Sequence, residues 1–194
     1  MGTADRGTVA GLLLAAGSGR RMGAPKALVE FEGERLADRG VRLLADGGCD
    51  PVLIVVGAVA VQVAGAVAVP NPDWATGMGS SLRAGLDALP GSARAVVIAL
   101  VDQPLVRPEA VRRLIEAFRA GATVAVAAYG GAPRNPVLIA REHFAEVSAL
   151  AEGDVGARPF LRARAELVTR VPCDDVGDPA DLDTPEDLRA MEGR

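Results

Sequence analysis

A chain of 194 residues has room for one domain with a substantial core, and with only six aromatic residues that core must be Val, Leu, Ala and Ile. The formal charge is −4, from 21 basic against 25 acidic residues, and no Lys/Arg cluster is dense, which excludes an evident nucleic-acid footprint. Any anion site must therefore be a local arrangement of Arg, Lys and backbone amides.

Cys49 and Cys173 are too few for a disulfide framework or a zinc site and read as buried free thiols. Residues 1–7, "MGTADRG", lack an apolar signal core and are expected to be flexible. No run reaches the ~18 apolar residues of a membrane span. The chain reads as a cytoplasmic protein, a single domain over residues 1–194, with neither membrane nor nucleic acid as partner.

The elements follow in chain order. "TVAGLLLA" (8–15) predicts a strand buried on both faces, and the spacing in 34–46 predicts a helix ending at Gly47-Gly48. "PVLIVVG" (51–57) is a second buried strand. Residues 58–69 predict a short helix and then a strand over 66–69. Residues 71–89 form a loop feeding a helix with Ser80 or Ser81 near its start. A strand with an acidic end covers 93–102, and a helix opened by Pro108 and closed by Gly121 covers 107–121. Another strand spans 122–130, followed by "NPVLIA", a helix-like stretch at 141–151 and an edge strand at 166–173. The tail is a capped helix with Thr184 at the N-cap, Pro185 next and Asp187 three beyond the cap.

Alternating strands and helices predict an α/β protein, with a mostly parallel sheet in a three-layer α/β/α arrangement. Such sheets bind ligands beyond the carboxyl ends of their strands. The glycine loop after the first strand and Asp102 both fall there.

That loop reads "LLLAAGSGRRMGAPK", residues 12–26. Gly17, Gly19 and Gly23 are spaced G-x-G-x-x-x-G, one residue too long for a dinucleotide fingerprint, and Lys26 follows Pro25 rather than the glycine of a P-loop. Glycines that let amides approach an anion, flanked by cations, suit a triphosphate.

The loop resembles the signature of nucleotidyltransferases with the Rossmann-like nucleotide-diphospho-sugar transferase fold, and within them the molybdenum cofactor nucleotidyltransferases, above all the cytidylyltransferase branch. Five further stretches resemble family elements in the family's order. "VDQPLV" offers Asp102 at a strand end. "NPDWATGMGSSLRAGL" resembles a nucleotide-contacting loop with Gly79, Ser80 and Ser81. "RNPVLIAREHF" resembles a Gly-Asn-Pro-Val element, with Arg134 where Gly is common, and "EGDVGARPFL" a Gly-Asp-x-Gly-Ala-Arg element. "DLDTPEDL" resembles the Asp-x-Asp-Thr-Pro element that brings acid near the metal. His143, the only histidine, sits in a helix-like segment and reads as structural.

The resemblance implies a Mg²⁺-dependent transfer of CMP from CTP to a molybdopterin-type acceptor, with pyrophosphate released. It implies that Leu14, Ala15, Ala16, Gly17, Ser18, Gly19, Arg21, Lys26, Gly79, Ser80 and Ser81 bind nucleotide. Arg21, Lys26 and Asp102 are the expected catalytic residues, Asn135 and Arg158 the acceptor contacts. Asp102 with Asp183 or Asp181 would hold Mg²⁺, with Mn²⁺ a possible substitute. Ala16, where guanine-using relatives carry Gly, favours cytosine. Two readings compete: GTP as donor or a different phosphorylated acceptor, and a non-catalytic accessory that delivers finished cofactor to a molybdenum hydroxylase partner.

Overall fold

A computed structural model describes residues 7–193. Of the segment expected to be flexible, 1–7, all but Gly7 lies outside the described residues. The chain runs through strand β1 (Thr8–Leu14), the short pair β2 (Glu30–Phe31) and β3 (Glu34–Arg35), and helix α1 (Leu36–Asp46). Then come β4 (Val52–Val56), β5 (Ala66–Pro70), α2 (Met78–Asp87), β6 (Ala93–Leu100), α3 (Pro108–Ala120) and β7 (Val124–Tyr129). It closes with β8 (Ala132–Ala140), α4 (Phe144–Leu150), α5 (Arg158–Ala163), β9 (Val168–Pro172) and α6 (Pro185–Glu192).

Seven strands form one sheet in the order β5-β4-β1-β6-β8-β7-β9, while β2 and β3 pair apart from it. Every pairing in the large sheet is parallel except the two made by β8. The fold is α/β with a mostly parallel sheet, as the alternation predicts.

Because side chains alternate across a strand, β1 feeds both layers. Val9 and Leu13 join the core beneath α1 and α3, whereas Ala10, Leu12 and Leu14 join the core beneath α2, α4 and α5. Two helical glycines set how closely those layers press. A Cβ on Gly40 of α1 would stand 2.7 Å from the Leu13 methyls, and one on Gly85 of α2 would stand 2.5 Å from Leu12. Strand β1 is thus gripped from both sides, which fixes the point where the glycine loop leaves it.

Two expectations need correction, and one unassigned stretch proves to be a strand. Residues 58–65 form no helix. Val59, Val61 and Val63 alternate, Val61 and Val63 are buried, and β-branched residues between Gly57 and Gly65 favour an extended path over a helix. The helix expected from residue 34 starts at Leu36, because Glu34 and Arg35 pair with Phe31 and Glu30 instead. "NPVLIA" belongs to β8, an antiparallel strand inserted between β6 and β7, whose prolines hid it. The register slips between Val126 and Ala127, so Asn135 and Pro136 face no ladder partner. A bulge of this kind accommodates a proline and aims side chains off the sheet. The stretch at 141–151 is a 3₁₀ turn (Arg141–His143) followed by α4.

Candidate active site

The site grows from the carboxyl ends of β1 and β6, which are neighbours. Leu14 is in register with Leu100, and the Val101 amide donates to the Leu14 carbonyl at 3.2 Å. Beyond β1, the Ala15 amide donates to Val55 O at 3.0 Å and Ala16 O accepts from the Ala58 amide at 3.0 Å. Leu14 and Ala15 therefore anchor the loop. The amides of Ala16, Gly17, Ser18 and Gly19 have no protein acceptor among the described residues.

Two glycines of the loop do different things. Gly19 takes φ +62, and a Cβ there would collide with the Ala24 carbonyl oxygen at 1.9 Å, so it closes the loop on itself. A Cβ on Gly17 would meet nothing within 4 Å, which leaves the space an anion needs.

The loop ends at Pro25, and Lys26 begins a 3₁₀ turn (Lys26–Leu28). Its ammonium donates to Asp102 Oδ2 at 2.7 Å and to Asp183 Oδ1 at 2.6 Å. The Arg21 guanidinium lies 3.0 Å from the other oxygen, Asp183 Oδ2. Side-chain exposure runs from 16% at Lys26 through 22% at Asp102 and 27% at Asp183 to 72% at Arg21, a gradient from the floor to the rim. Burial alone would lower the Lys26 ammonium, but the two carboxylates outweigh it and hold it above its ordinary value. Burial pushes the Asp102 carboxyl above the usual carboxylate range, against the pull of Lys26. Asp102 Oδ1 is buried and has no hydrogen-bond partner among the described residues.

Residues 157 positions apart meet here because the tail returns across the sheet end. The Leu182 amide donates to the Asp102 carbonyl at 2.7 Å, and α6 is fixed by a reciprocal cap in which Thr184 and Asp187 satisfy each other's amides. Gln103, which sequence reasoning passed over, donates from Nε2 to Pro179 O at 3.1 Å and to Asp181 Oδ1 at 2.9 Å. Of the two tail acids, Asp183 thus joins Asp102 while Asp181 is held by Gln103. Among the described residues no three His, Cys, Asp or Glu side chains group as a self-sufficient metal centre.

These groups sit at one end of an open cleft of ≈ 1060 Å³. Asn135, in the β8 bulge, and Arg158, at the start of α5, line the same cleft. Arg134, Arg162 and Arg170 line it too, three cations that the motifs did not single out together. Met78 reaches the cleft, whereas Ser80 and Ser81 turn inward and accept from Asn71 Nδ2 at 2.9 and 3.0 Å. Gly79 packs under the Ala151 carbonyl, 2.6 Å from where a Cβ would stand. The Asp154 carboxylate accepts from the Met78 amide, the first of α2, at 3.4 Å and links the two loops. Ala16 is buried, its methyl 2.9 Å from where a Cβ on Gly57 would stand. His143 pairs with Thr123 Oγ1 at 3.1 Å and packs on Phe160, a structural position.

A carboxylate at the end of β6, a lysine after a glycine loop and a returning acidic tail thus meet at the carboxyl ends of β1 and β6. A family model for the MobA-like NTP transferase domain matches residues 11–168. The chain belongs to this family. It is 38% identical to nicotine blue oxidoreductase of Paenarthrobacter nicotinovorans over 97% of this chain and 98% of that protein. It is 32% identical to molybdenum cofactor guanylyltransferase of Rhodobacter capsulatus, over 96% of each. Among solved structures, Rv0371c of Mycobacterium tuberculosis H37Rv superposes with a TM-score of 0.84 at 26% identity, over 97% of this chain and all of that one. A manganese complex of Rv0371c matches at a TM-score of 0.76 and 25% identity, over 96% of this chain and 98% of that one. The MobA-like NTP transferase domain is therefore a family with both transferase and oxidoreductase names among this chain's relatives.

Proposed function

We propose that this MobA-like chain transfers a nucleoside monophosphate, CMP from CTP, to the phosphate of a molybdopterin-type acceptor and releases pyrophosphate. The observation that carries the reading is the Lys26–Asp102–Asp183 constellation beside unpartnered loop amides at the ends of β1 and β6.

The amides of Ala16 to Gly19 receive the triphosphate, and Lys26 and Arg21 offset charge that builds on the α-phosphate and the departing pyrophosphate. The acceptor phosphate is already ionised and needs no strong general base. Catalysis is therefore positioning and charge stabilisation. Asn135 and Arg158 hold the acceptor, supported by Arg134, Arg162 and Arg170 in the same cleft, so an anionic acceptor suits it.

A divalent cation fits the acid end. The buried, unpartnered Asp102 Oδ1 is a ready ligand, and Mg²⁺ is ordinarily held by one or two carboxylates, with phosphates and water completing its shell. Asp102 and Asp183 are the residues that would hold it, and the manganese complex of the related Rv0371c supports divalent-ion binding in general. When bound, the ion supplies charge neutralisation on the phosphate oxygens.

The choice of CTP rests on Ala16, whose methyl is buried beside Gly57. The guanylyltransferase relative makes GTP the competing donor. Pyrophosphate release measured with each NTP, with and without molybdenum cofactor, tests the reading. Release requiring both CTP and cofactor is expected; faster turnover of GTP would replace the donor. The accessory-protein reading would gain from tight cofactor binding without pyrophosphate release.

The oxidoreductase relative gives a second reading, in which the same cleft serves redox chemistry on an organic molecule with an added electron donor or acceptor as co-substrate. The absence of a dinucleotide-type glycine spacing weighs against it. A screen for reduction of nicotine blue, negative while pyrophosphate release is positive, separates the two.

A further inference from the structure

Three features of the acid end describe the site before nucleotide or metal arrives. Lys26 lies between the two carboxylates, donating at 2.7 Å to Asp102 and 2.6 Å to Asp183. Each of those carboxylates is mostly buried, so removing their shared cation would leave uncompensated charge, a costly arrangement. Yet Asp102 Oδ1 remains buried without a partner, so the ammonium satisfies only part of what that carboxylate can accept.

We propose that Lys26 is a built-in counter-ion that keeps the metal position closed until a nucleotide draws the ammonium away. The proposal rests on the reading that Asp102 and Asp183 hold the divalent ion. A divalent ion held by Asp102 and Asp183 would meet the ammonium that Lys26 places between them, so free metal and Lys26 would compete for those carboxylates.

The means of release is on the same loop. The backbone nitrogen of Lys26 lies 3.1 Å from where a Cβ on Gly19 would stand, so Lys26 is adjacent to the unpartnered amides. A triphosphate received by Ala16 to Gly19 brings anionic oxygens within reach of a four-carbon stem whose ammonium can swing without moving the backbone. The lysine then exchanges carboxylates for phosphate, leaving Asp102 and Asp183 as the residues that would hold the divalent ion. Neither half of the exchange leaves a charge unpaired. Nucleotide and metal therefore bind with positive coupling, and each strengthens the other by the same factor.

Titration of Mn²⁺ followed by electron paramagnetic resonance tests this without turnover. The proteins are wild type, Lys26→Met, Lys26→Arg and Asp102→Asn. Each is titrated with and without a non-hydrolysable CTP analogue, and Mn²⁺ bound by the analogue alone is subtracted. Without the analogue, Lys26→Met is expected to bind Mn²⁺ about tenfold or more tighter than wild type, whereas Lys26→Arg, which keeps the charge, stays as weak as wild type. The analogue should tighten Mn²⁺ binding by wild type and add much less to Lys26→Met. Equal affinity of wild type and Lys26→Met without nucleotide overturns the proposal. So does wild-type binding that is as tight without the analogue as with it, a comparison needing no variant to fold. Asp102→Asn separates the two levels of the argument. If it keeps full Mn²⁺ binding in both conditions, the metal assignment itself falls; if it loses binding while Lys26→Met behaves as wild type, only the counter-ion role falls. Mn²⁺ should also raise the Tm of Lys26→Met more than that of wild type.

Discussion

Asp102 carries a conflict between folding and chemistry. Its buried carboxyl is held above the usual range, so the folded protein favours the protonated form more than the unfolded chain does. Ionising it therefore costs stability as pH rises from the usual carboxylate range through the shifted value. Asp102→Asn is expected to lower pyrophosphate release by ~10²–10³-fold, the scale of losing one charge-stabilising contact. The Tm of the metal-free variant should stay level or rise, measured by thermal unfolding with a chelator present. A fall of several degrees would mean that the Lys26 pair contributes net stability. Arg21 is mostly exposed, so Arg21→Ala should cost activity with little change in Tm. Much of this site was legible in residues: Arg21, Lys26, Asp102, Asp183, Asn135 and Arg158 all line or floor one cleft. Gln103 was not, because a glutamine after a strand-end aspartate gives no local signal that it will tether a tail 78 positions away. Nor was the inward turn of Ser80 and Ser81, which depends on Asn71 reaching them across a loop.

At the scale of elements, the site depends on how β1 and α6 are held. Gly85→Leu would drive a side chain into Leu12, and overpacking of that kind costs about 1–3 kcal/mol. Chemical denaturation should register the loss, and activity should fall with it because the glycine loop leaves from the same strand. Thr184→Ala removes one side of the α6 cap, at about 1 kcal/mol. Asp187 also accepts from the Asp183 amide at 3.1 Å, so this change is expected to lower turnover more than an equally destabilising one far from the cleft. The strands flanked by parallel neighbours were readable from their continuous apolar runs, as in "VLIVV" of β4. Strand β8 was not. Pro133 and Pro136 read as loop signals, and only pairing with β6 and β7 makes the following "VLIA" a strand. Residues 58–65 failed in the opposite sense: alternating valines lie along the core where low complexity had suggested a helix.

The described residues build one seven-stranded sheet clothed on both faces, with a tail between β9 and α6 that returns to Asp102 at the end of β6. That crossing is pinned by Arg113, whose guanidinium donates to both oxygens of Asp175 at 2.7 Å. Arg113 holds the Asp175 carboxyl down at about 2. Its folded value is depressed below the ordinary ~3.9, so the contribution is present above that value and lost as pH falls from ~3.9 toward the folded value. Asp175→Asn should flatten the decline of Tm in that window and leave the neutral-pH cleft intact. No helix among the described residues is long and apolar enough to cross a membrane. The fold class followed from alternation of strand and helix, but the substrate did not, since one fold carries many chemistries. The most direct measurement of the transfer itself is a single-turnover reaction with CTP labelled at the α-phosphate and molybdenum cofactor as acceptor. The account predicts label appearing in the acceptor in step with an equal amount of pyrophosphate. Label that stays in CTP, or leaves it as free CMP without reaching the acceptor, would contradict it.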